Sequence, residues 1–283
     1  MSNITIQHVT KTYGNVTALK DVCLTFGENK IYGLLGRNGA GKSTLLKIIA
    51  GWIRPTAGTV ALDGQEIWER DSLLEQIHYM GDWNTFPEEM TVEKMLHWGS
   101  RFYPNFDHAK AMELCQTFQL PIKKKVIKLS TGYRSICKFI FALACNTPFL
   151  FLDEPVLGLD ANHRQLFYRE LIENYAQHPK TVVISTHLIE EAADLLEEVV
   201  ILKEGHVLLA QETQALCSRG YTITGPAKAV DDYAQGHKIL GSDTLGGMKS
   251  IYLLDDDQQQ PLPQGLERSK LNLQQLFIHL TNS

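Results

Sequence analysis

Apolar and polar residues alternate from the start of the chain. Ile4-Thr5-Ile6-Gln7-His8-Val9 puts an apolar side chain at nearly every second position, the period of a half-buried strand. Residues 18–26 predict a second strand, ended by Gly27-Glu28-Asn29. Ile31-Tyr32-Gly33-Leu34-Leu35 is instead one continuous apolar run, the pattern of a strand buried on both faces. It enters a glycine-rich loop, then an apolar helix over 42–50 that Gly51 stops. A short strand over 58–62 closes on the turn pair Asp63-Gly64, and another short strand covers 77–80.

From about 85 to 147 the period turns helical. Helices are expected over 91–102 and 107–118, with Thr91 and Asp107 as N-caps, and over 130–145. Strand and helix then alternate: strand 149–152, helix 161–175, strand 181–185, helix 188–196, and strands near 199–202 and 207–210. Such alternation predicts a parallel sheet covered on both faces. The tail differs. It has strand-like pieces at 221–224 and 251–254, a polar turn Asp255-Asp256-Asp257-Gln258-Gln259-Gln260, and an amphipathic helix over 270–280. The expected organisation is an α/β domain over 1–215, a helical subdomain within it at about 85–147, and a small α+β extension over 216–283. No internal repeat is visible.

Composition narrows the function classes. The 283 residues carry 27 Lys and Arg against 32 Asp and Glu, a net charge of −5, so there is no basic character to suggest nucleic acid. The dense basic run Lys123-Lys124-Lys125 reads as a solvated loop. Five scattered cysteines, Cys23, Cys115, Cys137, Cys145 and Cys217, form no C-x-x-C pair and read as reduced thiols; Cys137 and Cys145 lie in an apolar stretch and are expected in the core. The histidines outside the motifs below show no metal-ligand spacing along the chain. The N-terminus does not begin like a secretory leader. The most apolar stretch, 139–152, is interrupted by Asn146-Thr147-Pro148 and falls short of the ~20 residues a membrane helix needs. Action at a membrane would therefore need a partner.

The strongest chemical signal is Gly36-Arg37-Asn38-Gly39-Ala40-Gly41-Lys42-Ser43, followed by Thr44. It fits the phosphate-binding loop G-x-x-x-x-G-K-[ST] and sits between a strand and a helix. Its glycines let backbone N–H groups face phosphate oxygens at a helix N-terminus. Lys42 is placed to bridge the β- and γ-phosphates of ATP, and Ser43 to offer its hydroxyl to Mg²⁺. Phe149-Leu150-Phe151-Leu152-Asp153-Glu154 supplies the complement. Asp153 emerges at the C-terminal end of a buried strand, where it can hold the Mg²⁺ shell, and Glu154 follows, placed to polarise a water.

With Leu129-Ser130-Thr131-Gly132-Tyr133-Arg134 opening the next helix, the sequence resembles the ABC ATPase family, whose signature is Leu-Ser-Gly-Gly-Gln. Tyr13 matches that family's adenine-stacking aromatic, Gly158-Leu159-Asp160 its D-loop and Ser185-Thr186-His187 its switch segment. The resemblance covers about residues 1–215 and implies a P-loop NTPase fold: a RecA-like core with N-terminal antiparallel strands. It implies that His187 touches the γ-phosphate. It further implies that Ser130, Thr131, Gly132 and Tyr133 of one subunit contact ATP held by another, in a homodimer or heterodimer. The partner would be a separate transmembrane permease, and the chain would sit in the cytoplasm, peripheral on the inner face of the membrane. Tyr103-Pro104-Asn105-Phe106-Asp107 and the ending Leu276-Phe277-Ile278-His279-Leu280-Thr281 look like ATPases of small bacterial exporters.

Three departures matter. Thr131 replaces a signature glycine and Tyr133 the glutamine, and Asp82 stands where the family has its Q-loop glutamine. An aspartate there could itself bind Mg²⁺. Trp83 and Phe86 follow it in the region expected to face the permease. These departures leave open a regulatory protein that holds ATP with little turnover. A nucleotide kinase would share the phosphate loop without the signature, D-loop and switch histidine. A soluble ABC protein acting on ribosomes or DNA would carry two ATPase units or a long coiled-coil insertion, and this chain has neither.

Overall fold

The computed structural model describes residues 2–82, 86–254 and 262–282. Trp83, the expected helical boundary at 85 and the polar turn at 255–260 lie outside them.

The first strands, β1 (Ile4–Tyr13) and β2 (Val16–Phe26), form an antiparallel hairpin. β3 (Ile31–Gly36) leads through the glycine-rich loop into helix α1 (Lys42–Ile49). β4 (Ala57–Leu62) and β5 (Gln65–Glu66) add to the hairpin, giving a four-stranded sheet in the order β2-β1-β4-β5. Asp63 and Gly64 both have positive φ, the geometry of a tight two-residue hairpin. A single helical turn, α2 (Asp71–Leu74), precedes β6 (Ile77–Met80).

The helical insertion holds α3 (Val92–Phe102), α4 (His108–Thr117) and α5 (Thr131–Ala144). Thr91, Asp107 and Ser130 cap them by accepting the backbone N–H of Lys94, Lys110 and Tyr133. Each satisfies an amide that the helix itself leaves unpaired. These starts were legible because cap residues stand immediately before apolar-periodic runs.

β7 (Phe149–Asp153), α6 (Ala161–Gln177), β8 (Thr181–Ser185), α7 (Ile189–Ala192), β9 (Glu198–Lys203) and β10 (His206–Glu212) complete the central sheet, in the order β10-β9-β3-β8-β7-β6. All its neighbours run parallel except the β9–β10 pair. Every residue of β3, β7 and β8 is buried, which explains their unbroken apolar runs. Alternate residues serve opposite faces: Leu34, Phe151 and Val183 join the core with α1 and the hairpin sheet, whereas Leu35, Leu152 and Ile184 join the core with α5 and α6.

The tail contains α8 (Thr213–Arg219), β11 (Gly220–Pro226), α9 (Ala227–Ala234), β12 (Ile239–Leu245), β13 (Met248–Leu254), β14 (Glu267–Lys270) and α10 (Leu273–Asn282). Its antiparallel sheet runs β12-β13-β11-β14. Two helices, β12 and β14 were not anticipated, and Lys270, expected to open the last helix, ends β14 instead. That helix begins at 273 because Asn272 and Gln275 cap each other: Asn272 Oδ1 accepts the Gln275 N–H at 2.8 Å, and Gln275 Oε1 accepts the Asn272 N–H at 3.1 Å. The tail sheet has its own small core of Tyr221, Ile223, Val230, Ile251, Leu253 and Leu266. Leu216, Leu273 and Leu276 instead join the main core. Leu276 is fully buried and lies against Gly220, so α10 fastens the tail to the larger body. Leu276→Ala is expected to cost about 2–5 kcal/mol of stability through the cavity it leaves, read as a lower urea midpoint.

Candidate functional site

Three adjacent parallel strands, β3, β8 and β7, end at the same edge of the sheet. Leu34 pairs with Ser185, and Ser185 pairs with Asp153. The loop after β3, the carboxylates after β7 and the segment after β8 therefore emerge side by side.

An open pocket of about 410 Å³ occupies this edge, lined in part by Tyr13, Asn38, Gly39, Ala40, Gly41 and Lys42. Ser43, Thr44, Asp153 and Glu154 complete the side nearest the chemistry. Gly41 has a φ of 105°, and a Cβ there would lie 2.6 Å from the Ala18 carbonyl oxygen, so the hairpin can close over the loop only with glycine at this position. Lys42 is buried, and its Nζ donates to the Gly36 carbonyl at 2.7 Å and, at 3.4 Å, to that of Arg37. Burial lowers its pKa, an effect that the charges of Glu154 and Asp153 oppose. An anion with several oxygens is the natural partner for this ammonium and the N-terminus of α1.

Asp153 is buried, and its Oδ2 accepts the Tyr79 hydroxyl at 3.1 Å. Burial, then the Asp153 charge, raises the Tyr79 pKa, so the phenol stays protonated and donating. Asp153 Oδ1 is buried and has no hydrogen-bond partner among the described residues. A buried carboxylate oxygen without a donor, beside the Ser43 hydroxyl, is a donor set suited to a hard divalent cation. Glu154 has a φ of 49°, and its N–H donates to the Ser185 carbonyl at 2.8 Å. Its Oε2 meets His187 Nδ1 at 2.7 Å. A left-handed glutamate held by a strand end and a histidine is backbone strain at a chemically exposed position.

Tyr13 is about half exposed at the pocket rim, with Lys11 Nζ 5.0 Å from its ring centre. Gly36 and Arg37 do not line the pocket. The Arg37 guanidinium turns away and donates to Asn282 Oδ1 at 3.0 Å, so the end of α10 touches the glycine-rich loop. A smaller space of about 230 Å³ lies there, with Thr281 in its wall.

Ser130, Gly132, Tyr133 and Asp160 gather elsewhere, around a separate space of about 100 Å³ that His163 also lines. Gly132 packs against the next loop so closely that a Cβ would lie 2.6 Å from the Gly158 carbonyl oxygen. Ser135 Oγ donates to the Leu157 carbonyl at 3.1 Å. Asp160 caps α6 through the His163 N–H at 2.9 Å and meets His163 Nδ1 at 2.9 Å. Thr131 is exposed at the start of α5, its methyl directed towards Gly158. Asp82 is exposed beyond β6 and does not line the 410 Å³ pocket; its charge acts on Tyr79 and on Lys138. Lys138 Nζ donates to the Gly81 carbonyl at 3.0 Å.

Tyr79 and Asn282 escaped the sequence reading. Neither sits in a motif. Only strand pairing carries Tyr79 to Asp153, and only the packing of α10 carries Asn282 to Arg37.

Residues 19–157 match the family model described as ABC transporter. The ABC transporter ATP-binding protein YtrB of Bacillus subtilis (strain 168) is 31% identical over 201 residues, 71% of this chain and 69% of that protein. The lantibiotic transport ATP-binding protein SrtF of Streptococcus pyogenes is 30% identical over 214 residues, 73% of this chain and 90% of that protein. A dimeric post-hydrolysis structure of the ATP-binding cassette MJ0796, bound to ADP and Pi, superposes with a TM-score of 0.65 at 27% identity, covering 74% of this chain and 98% of that one. The glycine-rich loop, the acidic strand end and His187 converge in the fold these relatives share, and the chain belongs to the ATP-binding, ATP-hydrolysing proteins of the ABC transporter family.

Proposed function

We propose that this chain powers an exporter whose membrane-spanning part is a separate permease, by closing head-to-tail with a second cassette around ATP. The observation that carries this reading is the separation of the two half-sites. The phosphate-loop pocket and the Ser130–Gly132 pocket share no lining residue. A second chain is what would bring a signature helix over the phosphate loop.

In this mechanism Lys42 and the backbone amides of residues 38–44 hold the phosphates, while Tyr13 stacks on the base. Ser43 and Asp153 would hold Mg²⁺, which when bound neutralises phosphate charge. Glu154 accepts a proton from the attacking water, and His187, bonded to the same carboxylate, orients it and reaches the γ-phosphate. Ser130 and the amides near Gly132 donate to the γ-phosphate from the opposite chain. Loss of that phosphate removes these donors' target and the dimer opens. Gly132 packs on Gly158 and Ser135 donates to the Leu157 carbonyl, so the signature helix is in direct contact with the segment that continues from Glu154.

No helix among the described residues is long and apolar enough to cross a membrane. A groove of about 620 Å³ at the seam with the helical insertion, walled by Trp52, Leu74, His78, Tyr79, Phe102 and Phe141, offers the permease an apolar docking surface at the cytoplasmic face of the membrane. Asp71 and Glu75 stand at its rim, and burial lowers the His78 pKa to about 4, so that imidazole is neutral at pH 7. Export rests on the resemblance to small exporters; the name of SrtF supports transport without a direction.

The deciding measurement is the molar mass of Glu154→Gln in solution. A shift from monomer to dimer only with ATP is expected; a monomer with ATP demonstrably bound would overturn closure between identical chains. Turnover of the same variant should fall by about 10²–10⁴-fold, and wild-type turnover would remove Glu154 as the base. Lys42→Ala should weaken ATP affinity by about 10–150-fold, the loss of one charge-assisted hydrogen bond, in an equilibrium titration. Asp82→Gln should preserve or raise ATPase activity, since Asp82 stands outside the pocket lining. A collapse in Mg²⁺ dependence would instead make Asp82 a metal ligand. Little turnover by the wild-type chain would favour the regulatory reading that Thr131 and Tyr133 keep open.

A further inference from the structure

On the outer hairpin, apart from the nucleotide pocket, three ligating side chains meet. His8 lies on β1, Asp21 and Cys23 on β2, and one ligand atom from each falls within 4.8 Å of the others. Thirteen and fifteen residues separate His8 from its two partners, so spacing along the chain carries no metal motif.

The strand register explains the meeting. Ile6 pairs with Leu24 and Val9 with Val22, so two residues of β1, Gln7 and His8, face one of β2, Cys23. The next shift, between the Val9–Val22 and Lys11–Leu19 pairs, places an extra residue on β2. His8 and Asp21 both adopt positive φ, 52° and 53°. Opposed bulges of this kind re-aim side chains that a regular ladder would send to alternate faces.

The contacts converge on one nitrogen. His8 Nδ1 is 2.8 Å from Asp21 Oδ1 and 3.6 Å from Cys23 Sγ. A cysteine–histidine–aspartate relay would need the thiol and the carboxylate on opposite ring nitrogens, so this is not a nucleophile and its base. A tetrahedral zinc ion with bonds of about 2.3 Å to sulfur and about 2.0–2.1 Å to nitrogen and oxygen sets its S–N pair about 3.6 Å apart and its N–O pair about 3.4 Å apart. The first distance is already met. The second requires the His8–Asp21 hydrogen bond to open by about half an ångström, which side chains 76% and 71% exposed can do. The His8 backbone N–H donates to Cys23 Sγ at 3.3 Å, which holds the sulfur on the histidine's side of the hairpin.

We propose that His8, Asp21 and Cys23 form a surface site for one divalent ion of the zinc class, with water completing the coordination. One thiolate, one carboxylate and one neutral imidazole match a borderline-soft dication and discriminate against Mg²⁺, which prefers oxygen alone. The site is independent of the nucleotide chemistry and would pin the hairpin that ends at Tyr13.

The test is a Co²⁺ titration of the untagged, nucleotide-free full chain. One equivalent should produce a thiolate-to-cobalt charge-transfer band with tetrahedral visible bands, and Zn²⁺ should bleach both. Cys23→Ser should abolish the charge-transfer band although the buried Cys115, Cys137 and Cys145 remain. His8→Ala and Asp21→Asn should each weaken Zn²⁺ at least tenfold in a chelator competition, with ATP binding retained as the sign of an intact fold. No band, a band that survives Cys23→Ser, or Zn²⁺ affinity unchanged in His8→Ala would overturn the proposal.

Discussion

The hydrogen-bond ladder through β3, β8 and β7 is the constraint on which the rest depends. It aligns Leu34, Ser185 and Asp153 across three parallel strands. The glycine-rich loop, His187 and the acidic pair then have nowhere to emerge except together. Such a ladder survives only if water is kept from both faces, and the complete burial of all three strands does this. Burial also sharpens the chemistry at the edge. Lys42 and Asp153 sit where charge is costly without a partner: the Gly36 carbonyl holds the ammonium, while Asp153 Oδ1 has no hydrogen-bond partner among the described residues.

The strained backbone of Glu154 belongs to the same logic. A left-handed glutamate costs about 1 kcal/mol or more. Its N–H donates to the Ser185 carbonyl at the end of β8, and its carboxylate is held by His187 from the segment that follows. From Glu154 the chain runs directly into the loop at Gly158, against which Gly132 packs. Four positions of chain thus separate Glu154 from the contact with the helix that Ser130 caps.

The tail shows a different kind of dependence. Its sheet closes its own small core, yet α8 and α10 give their buried leucines to the main one. Through α10 it reaches Arg37, a residue of the phosphate loop itself. The extension is therefore in contact with the nucleotide-binding edge rather than hung from a linker.

How much of this was legible follows from the range of each interaction. Strands β3, β7 and β8 could be read because burial on both faces writes an apolar run. Helices α3 to α6 could be read because Thr91, Asp107, Ser130 and Asp160 each cap through an amide three residues on. The glycine-rich loop and Asp153-Glu154 could be read because their chemistry needs contiguous residues. The tail was read less well, since β12 and β14 are largely exposed and carry no apolar run, and pairing with distant segments outweighs local preference. By itself the sequence determined the strands of the central sheet, the capped helices and their order, and the contiguous loop and acidic pair that line the pocket, all of which rest on contacts within a few positions. Only the tertiary structure decided that Tyr79 serves Asp153, that Asn282 holds Arg37, that Asp82 stands outside the pocket and that His8, Asp21 and Cys23 converge. Each of these depends on strand register or helix packing between distant segments, and no local pattern records where a chain returns to meet itself.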